Sequence, residues 1–383
     1  MRVGVLRTIA AILTVLALAA CAHGPKKVPQ VAAKEIVIGV AGPMEGALAA
    51  FGQQIRFGAA AAVADINTAG GVLGRPLKLA TADDGCDPQR GVEAADALVE
   101  EGAVFVVGHF CSGTSIPASK VYAAAGVLQI TPASTNPTLT EQGIETVFRV
   151  TNRDDAQGIF AGTWLAKHYA GKKLAVIDDR QPYGRLVAIQ TAKTAEANGL
   201  KPALVGSFGR GTADFSILIT KLRTAEIDVV YVGGYHDEVG ALAKQARDRG
   251  FTGDFISDDA LNTSEFPDYA GSAADGVRFS DAGVKTDLAS AADAVAKFRS
   301  GDYPSGKYEP EGYTLNAYAA VQVFAAAAAG TDSTDARKMA DWLKGNRVKT
   351  MIGDLSWDAK GDLTELYYAW FVWQGGRFTQ VPE

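Results

Sequence analysis

The chain has 383 residues, a formal net charge of −6 and 48% hydrophobic residues. Such a length is too great for one compact core and suits two domains. Both charge signs are interspersed and no basic patch carries interleaved aromatics, which argues against nucleic acid as a partner.

The N-terminus reads as an export signal. Arg2 and Arg7 make a positive start, and Thr8 to Leu18 is an apolar run too short to span a bilayer as a stable helix. It ends in Leu18-Ala19-Ala20-Cys21, which resembles a bacterial lipobox, with Cys21 as the acylated residue; a plain signal peptide with a chance cysteine is the alternative. Two or three acyl chains hold a protein on a membrane where a single chain does not. Residues 1–21 are thus read as a lipoprotein signal and 22–34 as a polar tether. The expected location is the periplasmic side of a bacterial envelope, membrane-anchored.

From residue 35 short apolar runs alternate with longer amphipathic ones. Glu35–Val40 reads as a strand and Ala49–Asn67 as a helix whose Ile55, Ala59, Ala62, Val63 and Ile66 form one buried stripe. Gly70-Gly71 stops it. Strand Leu77–Ala82, a helix near Arg90–Glu101, strand Val104–Val107, a helix near Ser115–Ala125 and strand Val127–Thr131 follow. This series predicts a parallel sheet with helices on both faces. A second series has strands Lys173–Ile177, Ala203–Phe208, Val229–Val232, Phe255–Ser257 and Gly276–Phe279, with helices near Asp155–Tyr169, Gly184–Asn198, Asp214–Thr224 and Glu238–Arg249. Residues from about Ala291 to Val348 read as mostly helical, and the Ala325–Ala329 run as a packed helix.

In open parallel sheets ligands sit beyond the carboxyl ends of the strands. After successive strands come Gly42, Met44 and Phe51; Ser112 and Thr114; Ala133, Ser134 and Thr135; Tyr183; Tyr235; and Asp259. Their types suit a zwitterion. Ser112 and Thr135 hydroxyls, with N–H groups at the following helix starts, suit an α-carboxylate. Asp259, with backbone carbonyls near Ala133, suits an α-ammonium. Taken singly, Ser112 and Thr135 also read as helix N-caps, the tyrosines as packing residues, and Asp258 competes with Asp259.

Three stretches carry a resemblance: Asp83–Gly91 (DDGCDPQRG), Val104–Ser119 (VFVVGHFCSGTSIPAS) and Leu128–Thr140 (LQITPASTNPTLT). Together they resemble the leucine/isoleucine/valine-binding proteins of ABC transporters, the type I periplasmic binding protein fold. The resemblance implies an α/β chain with two Rossmann-like lobes joined by a three-crossover hinge. Lobe 1 is then 35–154 plus 284–356, and lobe 2 is 155–283 plus 357–383. Carried over by position, it implies Ser112, Ala133, Thr135, Tyr183, Tyr235 and Asp259 as ligand contacts, and Phe51 and Tyr313 as aromatic neighbours of the side-chain pocket. An even cysteine pair, Cys86 and Cys111, in an exported chain suggests a disulfide, and the resemblance implies this bridge; two buried free thiols are the alternative.

The sequence departs from the family at two places. The family's acid is usually Glu in a GPEG-like loop, whereas here the loop is Ser257-Asp258-Asp259-Ala260. The shorter side chain sets the carboxylate back by roughly 1.5 Å, about one C–C bond. Gly113 stands where the family often has Ser. No G-x-S-x-G, G-x-x-x-x-G-K-[ST] or H-E-x-x-H signature is present. His23, His109, His168 and His236 are scattered, while a metal site needs at least three convergent ligands. The implied function is the solute-binding part of an amino-acid ABC importer, taking a small neutral amino acid, branched-chain or similar, and docking on a membrane permease. No cofactor, no catalysis and a monomer are expected. A ligand sensor for amides or amino acids, or a lipoprotein interaction scaffold, is the alternative on the same fold.

Overall fold

A computed structural model of the chain describes residues 34–382 apart from 284. The export signal, Cys21 and the tether up to residue 33 lie outside the described residues.

The first series is β1 (Ile36–Gly42), α1 (Ala49–Thr68), β2 (Leu77–Asp83), α2 (Pro88–Glu100), β3 (Phe105–Val107), α3 (Ser112–Ala124), β4 (Leu128–Thr131), α4 (Thr138–Glu141) and β5 (Val147–Arg149). Its sheet runs β2-β1-β3-β4-β5 and every pair is parallel. The second is α5 (Asp154–His168), β6 (Leu174–Asp178), α6 (Pro182–Ala197), β7 (Leu204–Ser207), α7 (Ser216–Thr224), β8 (Val229–Gly233), α8 (His236–Asp248), β9 (Asp254–Ser257), α9 (Phe266–Ala270) and β10 (Arg278–Asp281). The chain then returns to the first core through α10 (Ala292–Ser300), α11 (Thr314–Thr331), α12 (Ala336–Gly345) and the small hairpin β11 (Val348–Thr350) and β12 (Gly353–Leu355). It ends on β13 (Ala369–Gln374) and β14 (Arg377–Val381), which complete the second sheet in the order β14-β13-β10-β9-β8-β6-β7. Three crossings therefore link the two sheets: β5 to α5, β10 to α10, and β12 to β13.

The βαβ series follows the sequence reading, and the differences have local causes. Helix α2 starts at Pro88, two residues before the predicted Arg90. Asp87 accepts from the N–H groups of Gln89 and Arg90, and proline at the first position has no N–H to leave unpaired. Helix α3 starts at Ser112, three residues early, so Ser112 belongs to its first turn. The sequence reading missed β13 and β14, and these pair antiparallel. Gln374 faces Arg377 across Gly375-Gly376, both with positive φ (58° and 75°). Two such residues make the two-residue hairpin that closes antiparallel strands.

The core of the first sheet depends on α11. Its alanines let it lie close, and Phe324 stacks on Phe105 of β3 at 4.6 Å. At Gly58 of α1 a Cβ would collide with the Thr314 carbonyl, so α1 and α11 meet at backbone distance. Cys86 and Cys111 form a disulfide with Cα atoms 5.5 Å apart, as the sequence suggested. It ties the loop after β2 to the loop after β3 across 25 residues, a closure that stabilises by about 3 kcal/mol on the chain-entropy model. Beside it, His109 bonds Asp84 (2.6 Å) and Tyr122 (2.9 Å), all three fully buried.

Removing the Phe324 ring deletes a fully buried side chain from this stack. Phe324→Ala is expected to lose about 3–5 kcal/mol, read by urea unfolding. A loss below about 1 kcal/mol would mean that α11 does not carry the first core.

Candidate functional site

The carboxyl ends of the two sheets face each other. Between them lies a small space lined by Phe110, Ser112, Ala133, Thr135, Tyr183, Tyr235, Ala260 and Tyr313. About 10 Å³ is open to the centre of a water-sized sphere, room for roughly one water. Six of the nine residues expected from sequence, Ser112, Ala133, Thr135, Tyr183, Tyr235 and Tyr313, line this space. Phe51, Ser134 and Asp259 stand immediately behind it.

The first sheet supplies the small polar wall. Ser112 opens α3, and its Oγ accepts from the Asn136 N–H at 3.3 Å. The Ser134 hydroxyl points into the framework, within 2.7 Å of Ser115 Oγ and 2.9 Å of the Phe110 carbonyl. Arg149, fully buried at the end of β5, grips the same loop: Nη1 donates to the Ser134 carbonyl (2.8 Å) and Nη2 to that of Asn136 (3.1 Å), while Nε lies 2.6 Å from Asp362. Thr135 is thus held between two anchored neighbours. Its hydroxyl is close enough to lower the Asp154 pKa, although neither Asp154 oxygen meets full hydrogen-bond geometry. Burial dominates there and pushes the Asp154 carboxyl well above its ordinary value.

The second sheet supplies the acid. Asp259 follows β9, and its carboxylate accepts from Tyr183 Oη (2.8 Å) and Tyr313 Oη (2.6 Å). Tyr183 Oη in turn accepts from the Ala260 N–H at 3.3 Å. No lysine or arginine pairs with Asp259 among the described residues. Asp258 is turned into the framework, with one oxygen accepting from the Gly234 N–H (3.2 Å), and burial raises its pKa well above the ordinary range. Asp259 accepts from both Tyr183 and Tyr313, whereas Asp258 accepts from a backbone N–H and has Tyr183 of the lining residues beside it.

Aromatic rings close the cleft. Phe51 stacks on Phe110 at 4.2 Å and meets His236 edge-on at 5.2 Å. Tyr235 lies 5.7 Å from Phe110 and 5.4 Å from Tyr183. Sequence reasoning missed Phe110 and Ala260 as lining residues. Phe110 sits inside the quoted GHFCSG loop, but an aromatic at a strand end ordinarily reads as core. Gly113 faces Pro182 of the opposite wall, with space for a Cβ at 3.5 Å. Among the described residues no group of three or more His, Cys, Asp or Glu could hold a metal, and no helix is long and apolar enough to cross a membrane.

Buried carboxyls give the fold a pH dependence. Burial is the first cause that pushes Asp179 up to about 7 and Asp281 up to about 6. A carboxyl with a raised folded pKa binds more protons folded than unfolded, so its favourable neutral form is lost as pH rises through that value. Stability from these two groups is expected to fall between about pH 4 and 7. Asp179→Asn should flatten the upper part of that slope in melting curves taken from pH 5 to 8; an unchanged slope would show that Asp179 is ionised in the folded chain throughout.

A family model described as a periplasmic binding protein matches residues 35–377. An "Amino acid binding protein" of Pseudomonas aeruginosa is 43% identical over 91% of this chain and 93% of its own length. A "Leu/Ile/Val-binding protein homolog 2" of Brucella abortus is 41% identical over 90% of this chain and 91% of its own. Among solved structures, the branched-chain amino acid transporter substrate-binding protein of Streptococcus pneumoniae in complex with isoleucine superposes with a TM-score of 0.81, at 25% identity, covering 91% of this chain and 99% of that one. With the two-sheet fold, the three crossings and the facing strand ends, these matches place the chain in the periplasmic binding protein family.

Proposed function

We propose that the chain is the extracytoplasmic solute-binding component of an amino-acid ABC importer. One observation carries this: Asp259, buried and without a cationic partner among the described residues, faces a wall of small polar groups at the start of α3 and in the loop after β4. An α-amino acid matches both sides. Its ammonium pairs with Asp259, and its carboxylate meets Ser112, Thr135 and the N-terminal turn of α3, where free N–H groups and the helix dipole favour an anion. Ala133 lines the same space and offers its backbone. Tyr183 and Tyr313 hold the Asp259 carboxylate, and Tyr235 with Phe51 bounds the apolar remainder. The names of the relatives support an amino-acid ligand, and the isoleucine complex supports a neutral one.

Ligand binding favours the closed form by its differential affinity for that form, and the closed form docks on a membrane permease. Cys21 anchors the chain to the membrane by lipidation, the tether follows it, and the chain works as a monomer.

Two experiments test this reading. Removing one partner of a buried, hydrogen-bonded charge pair typically costs about 2–5 kcal/mol. Asp259→Asn is therefore expected to weaken binding of the cognate amino acid by roughly 30- to several-thousand-fold, while Asp258→Asn leaves affinity nearly unchanged, by isothermal titration. Reversed effects would assign the ammonium to Asp258, and no effect from either would rule out an ammonium at this loop. Cys21→Ser is expected to move the protein from the membrane to the soluble fraction of the envelope. Wild-type protein already free in that fraction would rule out the anchor.

A further inference from the structure

Two sets of hydrogen bonds join the lobes away from the space between the sheets. Asn136, in the loop after β4, donates through Nδ2 to the carbonyl of Pro182, the first residue of α6, at 2.7 Å. Glu311, just before α11, accepts from Ser264, in the segment between β9 and α9. One carboxylate oxygen takes the Ser264 N–H at 2.8 Å and the other takes its Oγ at 3.1 Å. Glu311 precedes Tyr313 and Leu315, both of the first core, and Ser264 lies between Leu261 and Phe266, both of the second. None of these four bonded residues lines the space itself.

The Glu311 contact is a seam, not a single bond. Its neighbour Gly312 has φ 48°, and a Cβ there would lie 2.9 Å from the Asn262 carbonyl oxygen, so two backbones meet where only glycine fits. Asn262 and Ser264 of one lobe thus lie against Gly312 and Glu311 of the other. A carboxylate acceptor makes each Ser264 bond stronger than its neutral equivalent. The bonds are at the surface. When the lobes part, both groups return to water and no charge is left buried, so the tie favours the closed form reversibly.

Resting on the two-lobe binding reading above, we propose that Glu311 and Asn136 set ligand affinity without touching the ligand, by latching the lobes together. A ligand that needs the closed form binds with its intrinsic affinity scaled by the fraction of free protein that is closed. A latch therefore scales every ligand by the same factor and leaves the preference among ligands unchanged. A lining residue such as Thr135 has no such restriction.

The test uses the mature protein, refolded from denaturant to strip carried ligand, with calorimetric titration of leucine, valine and alanine and small-angle scattering of the ligand-free form. Glu311→Ala is expected to weaken every amino acid that binds by one common factor, roughly tenfold for the loss of two charge-assisted bonds, or to widen the ligand-free particle where the wild type is already mostly closed. Ser264→Ala should weaken wild type but add less in the Glu311→Ala background, the non-additivity of a shared contact; a merely structural role for Glu311 gives additive losses. Asn136→Asp keeps the Oδ1 that accepts from the Thr138 N–H and removes the donor to Pro182, so it should act in the same uniform way. Unchanged affinity together with unchanged scattering overturns the latch, and so does a loss that differs from one amino acid to the next. If none of the three binds to wild type, the amino-acid reading loses its support, and the scattering of Glu311→Ala against wild type decides the latch by itself.

Discussion

Everything in the cleft depends on a carboxylate buried without a cation. Taking an ionised carboxyl out of water is costly, and neutral hydroxyl donors only partly repay it. Asp259 has two such donors, and they come from different elements: Tyr183 from α6 beside the second sheet, Tyr313 from the turn into α11 above the first. The acid is therefore a point where the two lobes already meet through hydrogen bonds, short of full charge compensation. On the reading proposed above, a ligand ammonium supplies the missing charge. On that reading the interaction that recognises the ligand also stabilises closure, because it needs both walls in reach.

The opposite wall has to be rigid for this to work, and three devices make it so. The Cys86–Cys111 bridge and the Asp84–His109–Tyr122 chain clamp the loops after β2 and β3 together from two sides. Arg149 holds the loop after β4 through two carbonyls while Asp362 balances its charge. Asp362 comes from the third crossing and also pairs with Arg153 at the first. The loop that presents Thr135 is thus braced by the hinge itself, so binding-wall geometry and hinge geometry are not independent.

The sequence made the βαβ order and most of the cleft legible because both rest on local pattern. Strands such as Glu35–Val40 are continuous apolar runs, and ligand residues fall at the ends of such runs in any open parallel sheet. What it hid depends on long-range contact. Phe110 looks like core until Phe51, 59 residues earlier by number, is seen stacked on it. Arg149 looks like a strand-end surface cation until Asp362 appears beside it. The neighbours Asp258 and Asp259 are the same residue type, and only the tertiary environment separates a framework acid from a cleft acid. The β13–β14 hairpin was missed because Ala369–Gln374 is apolar on both faces, with Trp370 and Trp373 both buried, so no alternation marked it.

On the amino-acid reading proposed above, the two walls of the cleft differ in what they offer a zwitterion. Asp179, Asp258, Asp259 and Asp281 lie about the acid side of the cleft, while Asp154 lies beside Thr135, and burial raises the pKa of Asp154, Asp179, Asp258 and Asp281. The nearby cations are spoken for: Arg210 by Asp237 and Glu238, Arg149 and Arg153 by Asp362. A carboxylate brought to that side meets Asp259, an acid with no cationic partner among the described residues, in a medium of low dielectric where screening is weak. At the start of α3, by contrast, it meets N–H groups and the positive end of a 13-residue helix. On that reading the orientation of the ligand is set by the difference between the two walls, an acid without a cation on one and a helix start on the other.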